Sequence, residues 1–130
     1  MRKIYYVLAL FLLASCGSEK TDIQTMLILT AEEMNKMCPM TVDQDTRLDN
    51  VVVLSNKNIQ YNYTWVNFEL EDLDLSIIES EFFPIILNDV KTNPGLKLFR
   101  ENKVNITYYY SDMNGKFVTL FKATPEKYLY

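Results

Sequence analysis

The spacing of apolar residues first predicts an amphipathic helix over residues 23–38. Apolar side chains recur there every three or four positions and share one helical face, at Ile23, Leu27, Ala31, Met34 and Cys38. Pro39 ends this helix because the residue before a proline is pushed out of the helical conformation. The capping-box spacing of Thr30 and Glu33 offers a second helix start near residue 30.

Two pairs of strands follow in the sequence. Residues 51–54 are a β-branched run, and residues 59–65 alternate between apolar and polar side chains, which predicts a strand with one buried face. Residues 104–110 and 117–122 alternate in the same way on either side of the turn residues 112–115. This arrangement predicts a β-hairpin.

A second helical region separates the strand pairs. Residues 76–90 predict a helix that is kinked or begins near Pro84, and Asn93 followed by Pro94 predicts the cap of a short helical turn. The order α-β-β-α-β-β predicts an α+β fold, a two-layer sandwich in which helices cover one face of a four-stranded antiparallel sheet. No repeat or long linker interrupts residues 23–130, so we expect a single domain there.

The first sixteen residues resemble the leader of bacterial lipoproteins. Arg2 and Lys3 precede an apolar run over residues 4–14, which is too short to span a bilayer. Leu13-Ala14-Ser15-Cys16 then resembles a lipobox, the alternative being an ordinary secretory leader with an incidental cysteine. The resemblance implies that residues 1–15 are a signal peptide. It also implies that Cys16 carries fatty acyl chains such as palmitate, which anchor the protein stably in a membrane.

Residues 16–22 comprise this cysteine and a small, polar tether. Six residues reach about 20 Å at most, which keeps the domain close to the membrane. In some bacteria an acidic residue directly after the lipidated cysteine retains a lipoprotein in the inner membrane. Gly17 occupies that position and favours the outer membrane. We therefore expect a membrane-anchored lipoprotein of the bacterial cell envelope.

Composition and charge exclude several classes of function. The 130 residues contain no histidine, which excludes imidazole acid–base chemistry and histidine-ligated metal sites. Removing the leader takes Arg2 and Lys3 away and leaves 11 of the 13 basic residues against all 17 acidic ones. This balance argues against a nucleic-acid partner and against a polybasic attachment to anionic lipid. Residues 58–90 contain seven acidic residues and no Lys or Arg.

A second resemblance rests on three segments of the domain. They are residues 35–43, which contain Cys38-Pro39, then Thr46-Arg47-Leu48-Asp49 and Tyr61-Asn62-Tyr63-Thr64. These segments resemble a group of uncharacterised exported bacterial proteins and lipoproteins. The resemblance implies an exported α+β domain and implies no activity, cofactor or substrate.

Cysteine and methionine provide the first candidate chemistry. Cys38 is the only cysteine after Cys16 and has no histidine to activate it, so we interpret it as a packed structural thiol or an intermolecular disulfide partner. Soft ligands at Met34, Met37, Cys38 and Met40 suit Cu(I). Methionines at helical spacing are more typical of core packing.

Asp43, Asp45 and Asp49 surround Arg47 and are a candidate calcium or carboxylate site. The segment lacks the glycine and the distal glutamate of a calcium loop. We interpret Arg47 as the ion-pair partner of the aspartates.

The remaining candidates are surface groups for binding. Alternation along the last hairpin places Tyr108 and Tyr110 on one face of the sheet and Tyr109 on the other, where a ring can contact a partner. The residues for which we predict an interaction are Tyr109, Glu69, Glu71, Asp72 and Asp74. The sequence predicts a non-enzymatic binding domain without a cofactor, whose partner is another envelope protein. The alternative is a small-ligand or Cu(I)-binding lipoprotein.

Overall fold

The computed structural model describes residues 22–130. The predicted signal peptide over residues 1–15, the lipidation of Cys16 and the tether up to residue 21 lie outside the described residues. Within residues 22–130, no helix has the length and apolar character needed to cross a membrane.

The described chain alternates between helices and strands. Helix α1 comes first and leads into three strands; their bounds are Ile23–Met37 for α1, Met40–Thr41 for β1, Thr46–Leu54 for β2 and Asn58–Trp65 for β3. One continuous helical segment follows, composed of α2 (Leu75–Ile77), a π-helical turn (Ile78–Phe82) and α3 (Phe83–Thr92). The remaining elements are α4 (Lys97–Glu101), β4 (Asn105–Ser111), β5 (Phe117–Ala123), α5 (Pro125–Tyr128) and two 3₁₀ helices (Leu70–Asp72 and Pro94–Leu96).

The sheet has five strands in the order β1-β2-β3-β4-β5, and the central pair β3–β4 is parallel. The prediction of four antiparallel strands was therefore wrong in strand number and in one pairing. The additional strand, β1, has two residues, Met40 and Thr41, which pair with Leu48 and Arg47. The parallel pair arises because the helical crossover after β3 returns the chain to the end at which β3 began.

One apolar core lies between the helices and a single face of the sheet. Alternate residues of β3 and β4 pack on that face, and Ile59 and Ile106 among them are fully buried. Leu27 of α1, Val90 of α3 and Phe99 of α4 belong to the same cluster. This common core confirms the predicted α+β arrangement with helices on one face.

Helix α1 is continuous through residue 30 and lies along the outer edge of β2. The Asn35 side-chain amide donates to the Val51 carbonyl at 2.8 Å, and the Val51 N–H donates to Asn35 Oδ1 at 2.7 Å. Asn35 thus satisfies the backbone of β2 where the short β1 leaves it unpaired. In the first turn, Gln24 Nε2 donates to the Leu54 carbonyl at 3.1 Å. Helix α1 therefore begins where β2 ends.

These contacts define two ends of the sheet. At the Asn58 end, β2 finishes and β3 begins, because Leu54 pairs with Asn58 and Asn58 with Asn105. At the Trp65 end, Thr46 pairs with Trp65. Helix α1 starts at the Asn58 end, so the first described residue, Asp22, lies there.

The predicted β4–β5 hairpin is confirmed, and Asp112 stabilises its turn. This carboxylate is fully buried and accepts hydrogen bonds from the backbone N–H groups of Asn114 (2.8 Å), Lys116 (2.9 Å) and Leu70 (3.0 Å). Burial disfavours the charged form, but the N–H donors and the nearby Lys116 charge outweigh it, so the pKa of Asp112 lies below its ordinary value. Gly115 completes the turn at φ +79°.

Candidate binding groove

A groove of about 620 Å³ opens at the Trp65 end of the sheet. The loop of residues 43–46 lines one side, and the helical segment from Ile77 to Ile85 lines the other. Trp65, Phe68 and Leu73 also contribute to the lining, which is mostly apolar. A concave apolar surface with a few polar groups is typical of a binding site.

Packed aromatic rings form the floor of the groove. The Trp65 ring stacks on Tyr110 with centroids 4.5 Å apart and meets the edge of Phe82 at 5.8 Å. Phe82 in turn contacts Tyr110 edge-on at 5.6 Å. Offset and edge-to-face pairs of this kind hold rings in defined positions. The floor is therefore part of the folded core.

The helical wall carries more apolar surface than the core can bury. Ile86 and Val90 are buried, and Ile78 and Phe82 pack partly against the same core. Ile77 and Ile85 occupy a neighbouring stripe and are 52% and 66% exposed. Apolar residues aligned along a groove in this way mark a surface that is suited to a partner.

The opposite wall is a loop held by its own hydrogen bonds. Asp43 Oδ1 accepts from the Asp45 N–H at 2.8 Å. The Asn67 side chain, which follows β3, donates to the Gln44 carbonyl at 3.0 Å and to Asp45 Oδ1 at 2.8 Å. The Val66 N–H donates to the Asp45 carbonyl at 2.9 Å. These bonds attach the loop to the end of β3 and define the width of the groove.

Three carboxylates line the groove without a basic partner. Asp43 and Asp45 belong to the loop, and Glu81 lies on the helical wall between Ile77 and Ile85. Among the described residues, no Lys or Arg nitrogen lies within 4.0 Å of these carboxylates, because the ion pairs there involve other acids. The interpretation of Arg47 as the partner of all three aspartates was wrong, since it pairs with Asp49 alone.

The predicted acidic residues lie beside the groove and stabilise the local backbone. Glu69 and Asp72 cap the short 3₁₀ helix Leu70–Asp72, and Asp74 caps α2 by accepting from the backbone N–H groups at positions 76 and 77. Glu71 pairs with Lys116 at 3.6 Å. These acids flank Phe68 and Leu73 of the groove in the sequence. Their participation in binding remains a prediction.

Tyr109 lies apart from the groove. Tyr108 and Tyr110 are buried on the core face, whereas Tyr109 points to the opposite face and packs against Phe117 with centroids 5.0 Å apart. The predicted alternation is confirmed, and Tyr109 is not among the residues that line the groove. An interaction through Tyr109 therefore remains a separate prediction.

Three of the four sulfur-containing candidates for Cu(I) pack against the core. Met34, Cys38 and Met40 pack against it, whereas Met37 is 60% exposed. Burial, followed by the nearby Asp49 charge, raises the pKa of the Cys38 thiol, which disfavours the reactive thiolate. Over residues 22–130, no three His, Cys, Asp or Glu side chains are grouped so that they could hold a metal ion.

The model of one protein family, described as "Domain of unknown function (DUF8479)", matches residues 23–120. The chain belongs to this family. No curated protein matches the chain by sequence.

Two solved structures share the fold of the DUF8479 domain. One is a Pseudomonas aeruginosa protein predicted to be secreted, with a TM-score of 0.69 and 13% identity over 81% of this chain and 91% of that protein. The other is the pilotin EpsS of the Vibrio vulnificus type 2 secretion system, with a TM-score of 0.57 and 6% identity over 81% and 90% of the two chains. At these identities, the similarity establishes the α+β fold.

Sequence reasoning missed the groove residues on the helical wall of the DUF8479 domain. Eight apolar residues crowd residues 76–90, more than one buried stripe of a helix requires. Ile77 and Ile85, on either side of Glu81, are the surplus. This excess of apolar residues indicated a second apolar stripe on the helix, exposed to solvent.

Proposed function

We propose that this protein is a lipid-anchored, non-enzymatic component of the bacterial envelope, and that its DUF8479 domain binds a segment of another envelope protein in the groove. The observation that carries the proposal is the apolar groove itself, with Ile77 and Ile85 exposed along one wall. Burying these side chains under a partner removes apolar surface from water, which favours association.

The position of the groove suits a tethered protein. Helix α1 begins at the Asn58 end of the sheet, where Gln24 contacts Leu54, and the groove opens at the Trp65 end. The nine residues of β2 separate these ends by about 30 Å. With acyl chains on Cys16, the groove would lie at the end of the domain opposite to the attachment point and would be open to a partner.

The comparisons and the chemistry of the chain support the same proposal. The two proteins of similar fold are one predicted to be secreted and a pilotin of a secretion system. The chain has no histidine, and the pKa of Cys38 is raised, which favours a binding role over nucleophilic catalysis.

Site-specific photo-cross-linking in the native cells tests the binding proposal. A photoreactive phenylalanine analogue replaces Ile85 in the groove or, as the control, Leu120, an exposed apolar residue of β5. We expect one dominant envelope protein to be captured from position 85 and not from position 120. Leu120 pairs with Tyr109 in the sheet. Selective capture from position 120 would therefore place binding on the Tyr109 face and contradict the proposal.

The lipid anchor is tested separately with Cys16→Ser. We expect the wild-type protein to incorporate labelled palmitate and to sediment with outer membranes, and the variant to lose the label and leave the membrane fraction. A wild-type protein without the label, or a variant that incorporates as much label as the wild type, would contradict the anchor.

A further inference from the structure

The segment that occupies the groove follows from the chemistry of its walls. Resting on the proposed function, we infer that the partner segment is an amphipathic α-helix with Lys or Arg on both flanks of its apolar stripe. Three features of the groove lead to this assignment: its mostly paired backbone, the spacing of its apolar wall and its unpaired carboxylates.

The groove offers few backbone groups to a partner. In the loop of residues 43–46, the Thr46 carbonyl accepts the N–H groups of Val42 (2.9 Å) and Asp43 (3.3 Å), and the Asp43 carbonyl accepts the Thr46 N–H (3.4 Å). The Gln44 and Asp45 carbonyls are occupied by Asn67 and Val66. The other wall is a helix with internal hydrogen bonds. An extended segment would leave its own backbone unpaired there, whereas an α-helix satisfies its backbone internally.

The apolar wall matches the side of a helix. Ile77 and Ile85 are eight residues apart on one helical segment, which corresponds to about two helical turns. A partner helix that contacts both needs at least two turns, with apolar residues at i, i+3 or i+4 and i+7. Such a stripe would also cover the Trp65 floor between the walls.

Unpaired acids on both walls determine the charge of the partner. Asp43 and Asp45 lie on the loop and Glu81 on the helix, so a helix between them has a carboxylate on either side. No base within residues 22–130 forms an ion pair with these three groups. Lys or Arg on the flanks of the partner would complement them, and Asp or Glu would be repelled.

A second copy of this chain does not fit this description. Helix α1 has exposed apolar residues, Ile28 and Leu29, but Glu32 and Glu33 follow them on the next turn. Acidic residues next to its apolar surface would meet the carboxylates of the groove. Helix α4 has Lys97 beside the exposed Leu98 but comprises only five residues, which is fewer than two helical turns. The partner that fits is therefore a different protein.

Peptide binding to the full chain in phosphatidylcholine nanodiscs tests the inference, with empty nanodiscs as the blank. Four fluorescent 18-residue peptides share one leucine stripe. Lys flanks the stripe in the first, Gln in the second and Glu in the third, and the fourth has Lys flanks and a central proline. Fluorescence anisotropy measures the affinity of each peptide.

We expect the Lys peptide to bind about tenfold more tightly than the Glu peptide, as expected for a few exposed charge pairs. The Gln peptide should lie between them, and the proline peptide should not bind. Concentrated salt should reduce the difference between Lys and Glu. Equal binding of the Lys and Glu peptides would overturn the assignment of charge, and full binding of the proline peptide would overturn the helix.

Two variants test whether the preference for Lys flanks arises at Glu81 in the groove. Glu81→Gln should reduce the advantage of the Lys peptide, whereas Glu79→Gln, a neighbouring exposed acid outside the groove, should retain it. An equal loss in both variants would overturn the placement of the bases beside Glu81. If position 85 still captures a protein in cells while these peptides show no preference, the inference fails and the proposed function stands. Absence of capture at position 85 contradicts the proposed function itself.

Discussion

The two ends of the sheet differ in whether their apolar side chains are covered or exposed. At the Asn58 end, α5 places Tyr128 over the core, where the ring is buried and its hydroxyl donates to the Val104 carbonyl at 2.8 Å. At the Trp65 end, no such side chain among the described residues covers the groove, and Ile77 and Ile85 remain exposed. The same core is thus completed internally at one end and left open at the other.

Both ends have acidic and basic residues, but only the Trp65 end has a groove lined by carboxylates that form no ion pair among the described residues. Lys57 and Lys103 lie at the Asn58 end, where the Lys57 ammonium donates to the Asn102 carbonyl at 3.4 Å. Unpaired carboxylates instead line the groove at the Trp65 end. Under the proposed function, the Asn58 end serves folding and the Trp65 end serves recognition. Substitutions at the two ends should therefore separate stability from binding.

The largest effect on stability is expected at Tyr128. Tyr128→Ala removes a buried ring and leaves the Val104 carbonyl without its hydroxyl donor, so the free energy of unfolding should fall by about 3–5 kcal/mol. Urea denaturation followed by tryptophan fluorescence measures this change. Tyr128→Phe is the matched control, because it keeps the ring and should cost about 1 kcal/mol. If the free energy of unfolding falls no further in Tyr128→Ala than in Tyr128→Phe, the ring does not close the core at the Asn58 end.

A smaller effect on stability is expected for Asp112→Asn, because this substitution opens no large cavity. The pKa of Asp112 is lowered in the folded protein, so the charged carboxylate adds stability at pH values above its ordinary pKa of about 3.9. This contribution is lost as the pH falls below that value towards the lower folded pKa. We expect Asp112→Asn to be less stable at neutral pH and to lose less stability on acidification to about pH 2, as measured by urea midpoints at each pH. Parallel pH profiles for the variant and the wild type would contradict this role.

The sequence predicts local elements well and long-range arrangement poorly. Alternation at Ile59, Tyr61 and Tyr63 identified β3, because a strand with one buried face repeats every two residues. Strand β1 has only two residues, too few to show any period. The parallel pairing of β3 with β4 depends on the path of the crossover rather than on either strand. The groove was missed for the same reason, since it forms only when residues 43–46 lie opposite residues 77–85.

The smallest effect on stability is expected at Ile85, where the effect on binding should be large. Ile85→Gln changes a side chain that is 66% exposed, so the free energy of unfolding should change by no more than about 0.5 kcal/mol. The same substitution places a polar group against the apolar stripe of the partner. Capture by a photoreactive group at Ile77, which lies on the same wall, should therefore fall sharply.

Leu120→Gln is the matched control for Ile85→Gln, because Leu120 is also exposed and apolar but lies on β5, away from the groove. It should leave both stability and capture at Ile77 unchanged. A substantial loss of stability in Ile85→Gln would mean that the exposed stripe serves the fold, as Tyr128 does. The contrast between the two ends requires that Ile85→Gln leave the stability unchanged, because a side chain that serves recognition alone can be replaced without unfolding the isolated domain.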